Sequence, residues 1–138
     1  MIAYLDASVA LRVLLAQKGR LAGWATWERA YASELLGLEV RRTIDRLRVQ
    51  GDLDGDDVAE LLRLTAIIED GLAIVGLTRM VVHRAGLPLA TPVRTLDALH
   101  LATALMIREQ SSVPLTFLTH DAQQGLAARA LGFEVAGV

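Results

Sequence analysis

The feature that most narrows the possible folds is a repeated alternation of short apolar runs with longer stretches of helical periodicity. Residues 2–6 read as a strand and 8–17 as a helix, a second short helix is expected at Leu21–Trp27, and Ala30-Tyr31-Ala32 reads as a brief strand. Ser33 is expected to open a helix from Glu34 to Gln50, where Leu36, Val40, Ile44 and Leu47 recur at helical spacing until Gly51 ends the run. A helix over Asp54–Glu69 and a strand over Leu72–Leu77 come next. A short helix then runs from Thr78 to the stop at Gly86-Leu87-Pro88. The longest helix is predicted from Thr95 to about Gln110, then strand Leu115–Thr119, helix Ala122–Leu131 and a last strand Phe133–Val135. Strands alternating with helices predict an α/β chain of three layers, with a mostly parallel central sheet flanked by helices.

No linker, repeat or low-complexity tract divides residues 1–138, so a single domain is expected, large enough to bury a core without staples. Cysteine is absent, which excludes disulfides and thiolate metal sites. The start Met1-Ile2-Ala3 runs directly into a strand without a basic leader, which predicts a cytoplasmic protein, and no apolar run reaches the ~18 residues of a membrane span. A net charge of −2 excludes binding to nucleic acid by bulk attraction, so any such contact must be local. Lys18 is the sole lysine; the other basic residues are arginines, suited to phosphate or carboxylate contacts. A hydrophobic fraction of 53% is high for a monomer and predicts a face for self-association or for a partner.

Four acids stand out by position. Asp6 closes the first apolar run just before a helix-forming stretch for which Ser8 is the expected N-cap, and Asp121 repeats the arrangement after Leu115–Thr119. Both therefore belong at the C-terminal edge of a sheet, where strand tips and helix N-termini form the ligand crevice of open α/β folds. Glu39 lies on the flank of the apolar stripe formed by Leu36 and Val40. Asp97 shares a face with Leu101 and Ala104. Asp97 either decorates the N-terminus of its helix, for which Thr95 is already an available cap, or points into a polar pocket. Asp121 is likewise either a cap for the helix from Ala122 or a member of the cluster. Carboxylates gathered without cations raise one another's pKa values, and hard divalent ions such as Mg²⁺ or Mn²⁺ relieve that conflict.

The chain resembles the PIN-domain ribonucleases, and most closely the VapC-type toxins of bacterial toxin–antitoxin pairs. The resemblance rests on Tyr4-Leu5-Asp6-Ala7-Ser8-Val9-Ala10-Leu11, on the block from Ser33 to Arg42, on Thr95-Leu96-Asp97-Ala98-Leu99-His100-Leu101-Ala102-Thr103-Ala104, on Phe117-Leu118-Thr119-His120-Asp121 and on Ala127–Phe133. It implies that Asp6, Glu39, Asp97 and Asp121 bind Mg²⁺ or Mn²⁺ and carry the catalysis, with Ser8 and Thr119 orienting carboxylates or water. It also implies RNA as substrate, an antitoxin that covers the cleft, and a homodimer. Arg12, Arg41, Arg42 and Arg94 are candidates for holding RNA. The alternative is a catalytically idle PIN-like module that binds or scaffolds.

Other motifs carry less. Asp52-Leu53-Asp54-Gly55-Asp56-Asp57 is read as a solvated turn with an N-cap, because a calcium loop would need a glutamate where Arg63 stands. His100, three residues after Asp97, is read as a packing residue or a hydrogen-bond partner rather than a ligand; His83 and His120 are read as surface or loop residues. Trp24 and Trp27 are read as core or a partner face. A haloacid-dehalogenase-like phosphatase would need an acid at Ser8, a receiver domain would need a lysine after a late strand, and the glycine pattern of dinucleotide binding is missing.

Overall fold

The computed structural model describes residues 1–19 and 21–138. The elements are β1 (Ile2–Leu5), α1 (Ala7–Leu14), β2 (Arg29–Ser33), α2 (Leu35–Val49), α3 (Gly55–Asp70), β3 (Ala73–Val75), α4 (Arg79–Ala85), α5 (Thr95–Ser111), β4 (Thr116–Leu118), α6 (Ala122–Ala130) and β5 (Glu134–Ala136). The strands form one sheet in the order β3-β2-β1-β4-β5, and every pairing is parallel. The sheet is thus wholly parallel where the sequence predicted it mostly so. Parallel strands buried on both faces have no polar side to display, which is why the runs are short and apolar rather than alternating.

Period-two geometry divides β1 between two cores. Ala3 and Leu5 point to one face and pack with Val9, Ala10, Leu36, Val40, Ile44 and Leu61 from α1, α2 and α3. Tyr4 points to the other face, among Leu101, Ala104 and Leu105 of α5, Phe117 of β4, Ala127 of α6 and Phe133. Its ring stacks on Phe117 with centroids 5.1 Å apart. Each fully buried Leu, Ile or Phe side chain contributes about 1.5–3 kcal/mol from the area it withdraws from water.

Several local expectations are corrected. Leu21–Trp27 forms turns rather than a helix, because Gly23 at φ 77° and Ala25 at φ 62° leave the right-handed region that a helix needs. Trp24 and Trp27 are half-buried, edge to face at 5.1 Å, and pack against the α1–α2 core. α1 ends at Leu14, with Ala16 at φ 50° just beyond it. The N-cap of α1 is Asp6, not Ser8, and that of α5 is Arg94 rather than Thr95, with no side-chain capping bond. α2 starts after Glu34 without a side-chain cap, although Ser33 Oγ does accept from Leu35 N at 3.2 Å. The turn before α3 is the solvated N-cap expected of it: Asp54 and Asp57 form a reciprocal capping box.

Candidate active site

The chain leaves β1 toward β2 on one side and reaches β4 on the other, so the C-terminal tips of β1 and β4 border the point where strand order reverses. Ligand crevices of open parallel sheets lie there. Asp6 stands at the tip of β1, its N–H donating to Leu118 O at 3.0 Å, and the residue is 5% exposed. Its Oδ2 accepts from Ser8 N at 3.2 Å, Ser8 Oγ at 2.5 Å and Thr119 Oγ1 at 3.1 Å. A carboxylate with three donors on one oxygen is held in one orientation and keeps its other oxygen for a further partner. Ser8 in turn accepts from His120 N at 2.9 Å, which ties the tip of β4 to α1.

Thr119 occupies the end of β4 and is fully buried. Its Oγ1 accepts from Asp121 N at 3.0 Å and lies 2.9 Å from Gln124 Oε1, while Gln124 Nε2 has no partner. The hydroxyl has one proton. With the Gln124 amide turned over, Nε2 donates to Thr119 and the hydroxyl proton goes to Asp6, which satisfies the amide nitrogen and the carboxylate together. Gln124 is a supporting residue that the sequence reading missed; its spacing three after Asp121 was its only trace.

Asp121 caps α6, its Oδ1 accepting from Gln123 N at 2.8 Å and Gln124 N at 3.0 Å. The other oxygen, Oδ2, lies 3.6 Å from Arg94, which also approaches Asp97 Oδ2 at 3.5 Å. Asp97 sits in the first turn of α5, and its carboxyl is held above the usual range by burial first and then by the charges of Asp121 and Asp6, against a smaller opposing effect of Arg94. The acids therefore feel one another. Glu39, from α2, reaches the same edge from the other layer, and its Oε1 meets His100 Nε2 at 2.5 Å.

His100 is fully buried and uses both ring nitrogens: Nδ1 pairs with Tyr4 Oη at 2.8 Å, and Nε2 with Glu39, with Asp6 Oδ1 3.6 Å away. Burial alone would lower its pKa, but the hydrogen bond to Glu39 and the charges of Asp6, Glu39 and Asp97 outweigh that and leave it raised. Burial and the charge of Asp6 push the Tyr4 hydroxyl well up, so it stays protonated. Tyr4 was not singled out in the sequence, although period two places it on the same face as Asp6.

The candidate arginines separate. Arg41 is paired with Glu69 at 2.7 Å and Arg42 with Asp45 at 3.0 Å, both pairs on the exposed surface of the protein. Arg12 donates to Gly19 O at 3.0 Å and lines a small cavity with Ser8, Arg46, His120 and Asp121. His120 is half-buried, with Nδ1 2.8 Å from Gly137 O, so it is tied to the end of β5 rather than loose on the surface; His83 is exposed.

Among the described residues, no three carboxylates or imidazoles converge closely enough to hold an ion as they stand. The donor chemistry nevertheless suits one class of ion: carboxylate and hydroxyl oxygens, no thiolate, and an imidazole already engaged on both nitrogens, which is the set for Mg²⁺ or Mn²⁺.

A wholly parallel open sheet with a cluster of acids at its reversal point defines an α/β protein whose crevice suits a hard cation and the anions it attracts. The family profile of the PIN domain matches residues 3–129, and the chain belongs to that family. Its fold is similar to that of a toxin–antitoxin complex from Klebsiella pneumoniae, with a TM-score of 0.68 at 15% identity over 97% of this chain and 95% of that one. VapBC2 from Rickettsia felis, bound to a DNA fragment from its promoter, aligns with a TM-score of 0.65 at 13% identity, covering 98% and 97% of the two chains. VapBC-1 from nontypeable Haemophilus influenzae gives 0.59 at 12% identity, covering 98% and 96%. The comparison with curated proteins found no match.

Proposed function

We propose that the chain is a metal-dependent endoribonuclease of the VapC toxin type, neutralised by a cognate antitoxin. The observation that carries this reading is the grouping of four acids at the reversal point: Arg94 lies 3.5 Å from Asp97 and 3.6 Å from Asp121, and His100 lies 3.6 Å from Asp6 and 2.5 Å from Glu39. In this reading Asp6, Glu39, Asp97 and Asp121 hold Mg²⁺ or Mn²⁺. Such ions, when bound, supply Lewis-acid charge to a phosphodiester and make water a stronger nucleophile. The protein's own work is placement. Ser8 and Thr119 fix Asp6, the Asp121 cap fixes one side of the cleft, and Arg94, 77% exposed, stands where a phosphate can take its guanidinium from the acids. Arg12, from α1, lines a separate cavity that Ser8 and Asp121 also border.

The likeness to toxin–antitoxin structures supports a protein partner. The half-buried Trp24 and Trp27 together with α2 are its proposed docking face, and a homodimer is proposed for the remaining apolar surface. Among the described residues no helix is long and apolar enough to cross a membrane; a cytoplasmic site of action is part of the proposal. A second reading, an idle PIN module, is favoured by the absence of a ready three-group cation array among the described residues.

Calorimetric titration with Mn²⁺ separates the two readings: binding by the parent and its loss in Asp6→Asn supports the nuclease. Expressed alone, the parent should arrest bacterial growth and generate discrete new RNA 5′ ends, whereas Asp6→Asn at equal abundance should do neither, since misplacing the ions removes several powers of ten in rate. Arrest that survives the substitution would overturn the reading.

A further inference from the structure

Glu39 is the one candidate acid delivered by a helix interior rather than by a strand tip or a helix start, and among the described residues no backbone N–H holds its carboxylate. A polar chain running through the core does so instead. Tyr4, on β1, is fully buried with its ring stacked on Phe117, so its hydroxyl cannot wander. That hydroxyl lies 2.8 Å from His100 Nδ1, and His100, also fully buried, lies 2.5 Å from Glu39 Oε1 through Nε2.

Because a carboxylate only accepts, Nε2 must carry the hydrogen on that side. In neutral His100 the Tyr4 hydroxyl then donates to bare Nδ1; in the cation it accepts from Nδ1–H. Both states keep both bonds. Only the neutral tautomer with hydrogen on Nδ1 alone would set a lone pair against Glu39. The partners come from three elements, β1, α5 and α2, so the chain also couples the two layers that meet at the site.

We propose that Tyr4 and His100 act as positioning residues that commit Oε1 of Glu39 to the protein and leave its other oxygen to the cation. The inference rests on the metal-binding reading above. Buried hydrogen-bonded supports of this kind typically change metal affinity 10- to 100-fold when removed.

The geometry predicts a distinctive pattern of substitutions. In His100→Gln the amide nitrogen can take the place of Nε2 and donate to Glu39. In His100→Asn the shorter amide can reach only toward Tyr4. Both remove the imidazole from the same buried site and so serve as controls for each other. Calorimetry should show Mn²⁺ affinity in His100→Gln within about threefold of the parent, and in His100→Asn about 10- to 100-fold weaker, at comparable melting temperatures in chelator. Equal losses in the two would overturn the proposal, because a merely structural role does not distinguish which end of the imidazole is replaced.

A second arm needs no metal. Nitrogen NMR of the parent in chelator should show Nε2 of His100 protonated, and Tyr4→Phe should increase the population with hydrogen on Nδ1. A parent spectrum with Nδ1–H alone overturns the proposal. A parent that binds no Mn²⁺ but shows Nε2–H would fail the metal reading, while still supporting the tie from His100 to Glu39.

Discussion

At the scale of single residues, the site is held by donors rather than by opposite charges. Asp6 gathers three hydrogen bonds on one oxygen, whereas Asp97 gains little more than the distant Arg94 at 3.5 Å. The two acids should therefore respond differently to neutralisation. The folded-state pKa of Asp97 is raised by burial and by Asp121 and Asp6. Its contribution to stability is thus fully present below the ordinary carboxylate value and is lost as pH rises through the folded one, so metal-free protein at neutral pH carries the penalty. Asp97→Asn should raise the melting temperature in chelator at pH 7, with the advantage disappearing in acid where the parent's carboxyl is already protonated. Added Mn²⁺ should reverse the order. Thermal scans with and without chelator across pH 3–7 check this, and a variant less stable than the parent at pH 7 in chelator would show that Asp97 supports the fold.

At the scale of elements, capping and close packing separate stability from site geometry. Asp54 closes α3 with a capping box far from the acids, so Asp54→Ala should cost about 1 kcal/mol and leave Mn²⁺ affinity unchanged. Gly137 follows β5 at φ 104°, and a Cβ there would stand 2.3 Å from Thr119 O. Gly137→Ala should cost about 1–3 kcal/mol for the backbone conformation, and should also weaken Mn²⁺ binding, because the clash falls on the backbone of Thr119, whose hydroxyl holds Asp6. Urea denaturation paired with calorimetry distinguishes the two variants; equal Mn²⁺ affinities would mean that β5 does not brace the site. The failed helix prediction at Leu21–Trp27 belongs to this scale as well. Its apolar spacing was suitable, but backbone conformations at Gly23 and Ala25 decided the outcome.

For the molecule as a whole, the burial and repulsion that raise the Asp97 pKa count against the folded metal-free state, and cation binding should offset them. Mn²⁺ at a hundredfold excess over its Kd should add about 2.7 kcal/mol, which corresponds to a rise in Tm on the order of 10 °C for a domain of this length. Asp6→Asn should show almost none of that rise in differential scanning calorimetry. A parent whose Tm ignores Mn²⁺ would count against the metal site. The exposed Met80 and Leu87 around α4, with the half-buried Met106 of α5, line a groove that accounts for part of the unusually apolar composition.

The sequence alone determined the α/β alternation, the parallel sheet and the location of Asp6 and Asp121, because these follow from local periodicity and from which residue ends a strand. It also singled out Asp97 and Glu39 as acids beside apolar stripes. Tertiary structure decided what local patterns cannot encode. Glu39 reaches the strand tips from the opposite layer, His100 joins it to Tyr4 across 96 positions of chain, Arg94 lies beside two of the acids, and Arg41 and Arg42 are taken up by Glu69 and Asp45. Each of those outcomes depends on distances between elements far apart in sequence. Such distances are set by how the layers pack, and periodicity within one element carries no record of them.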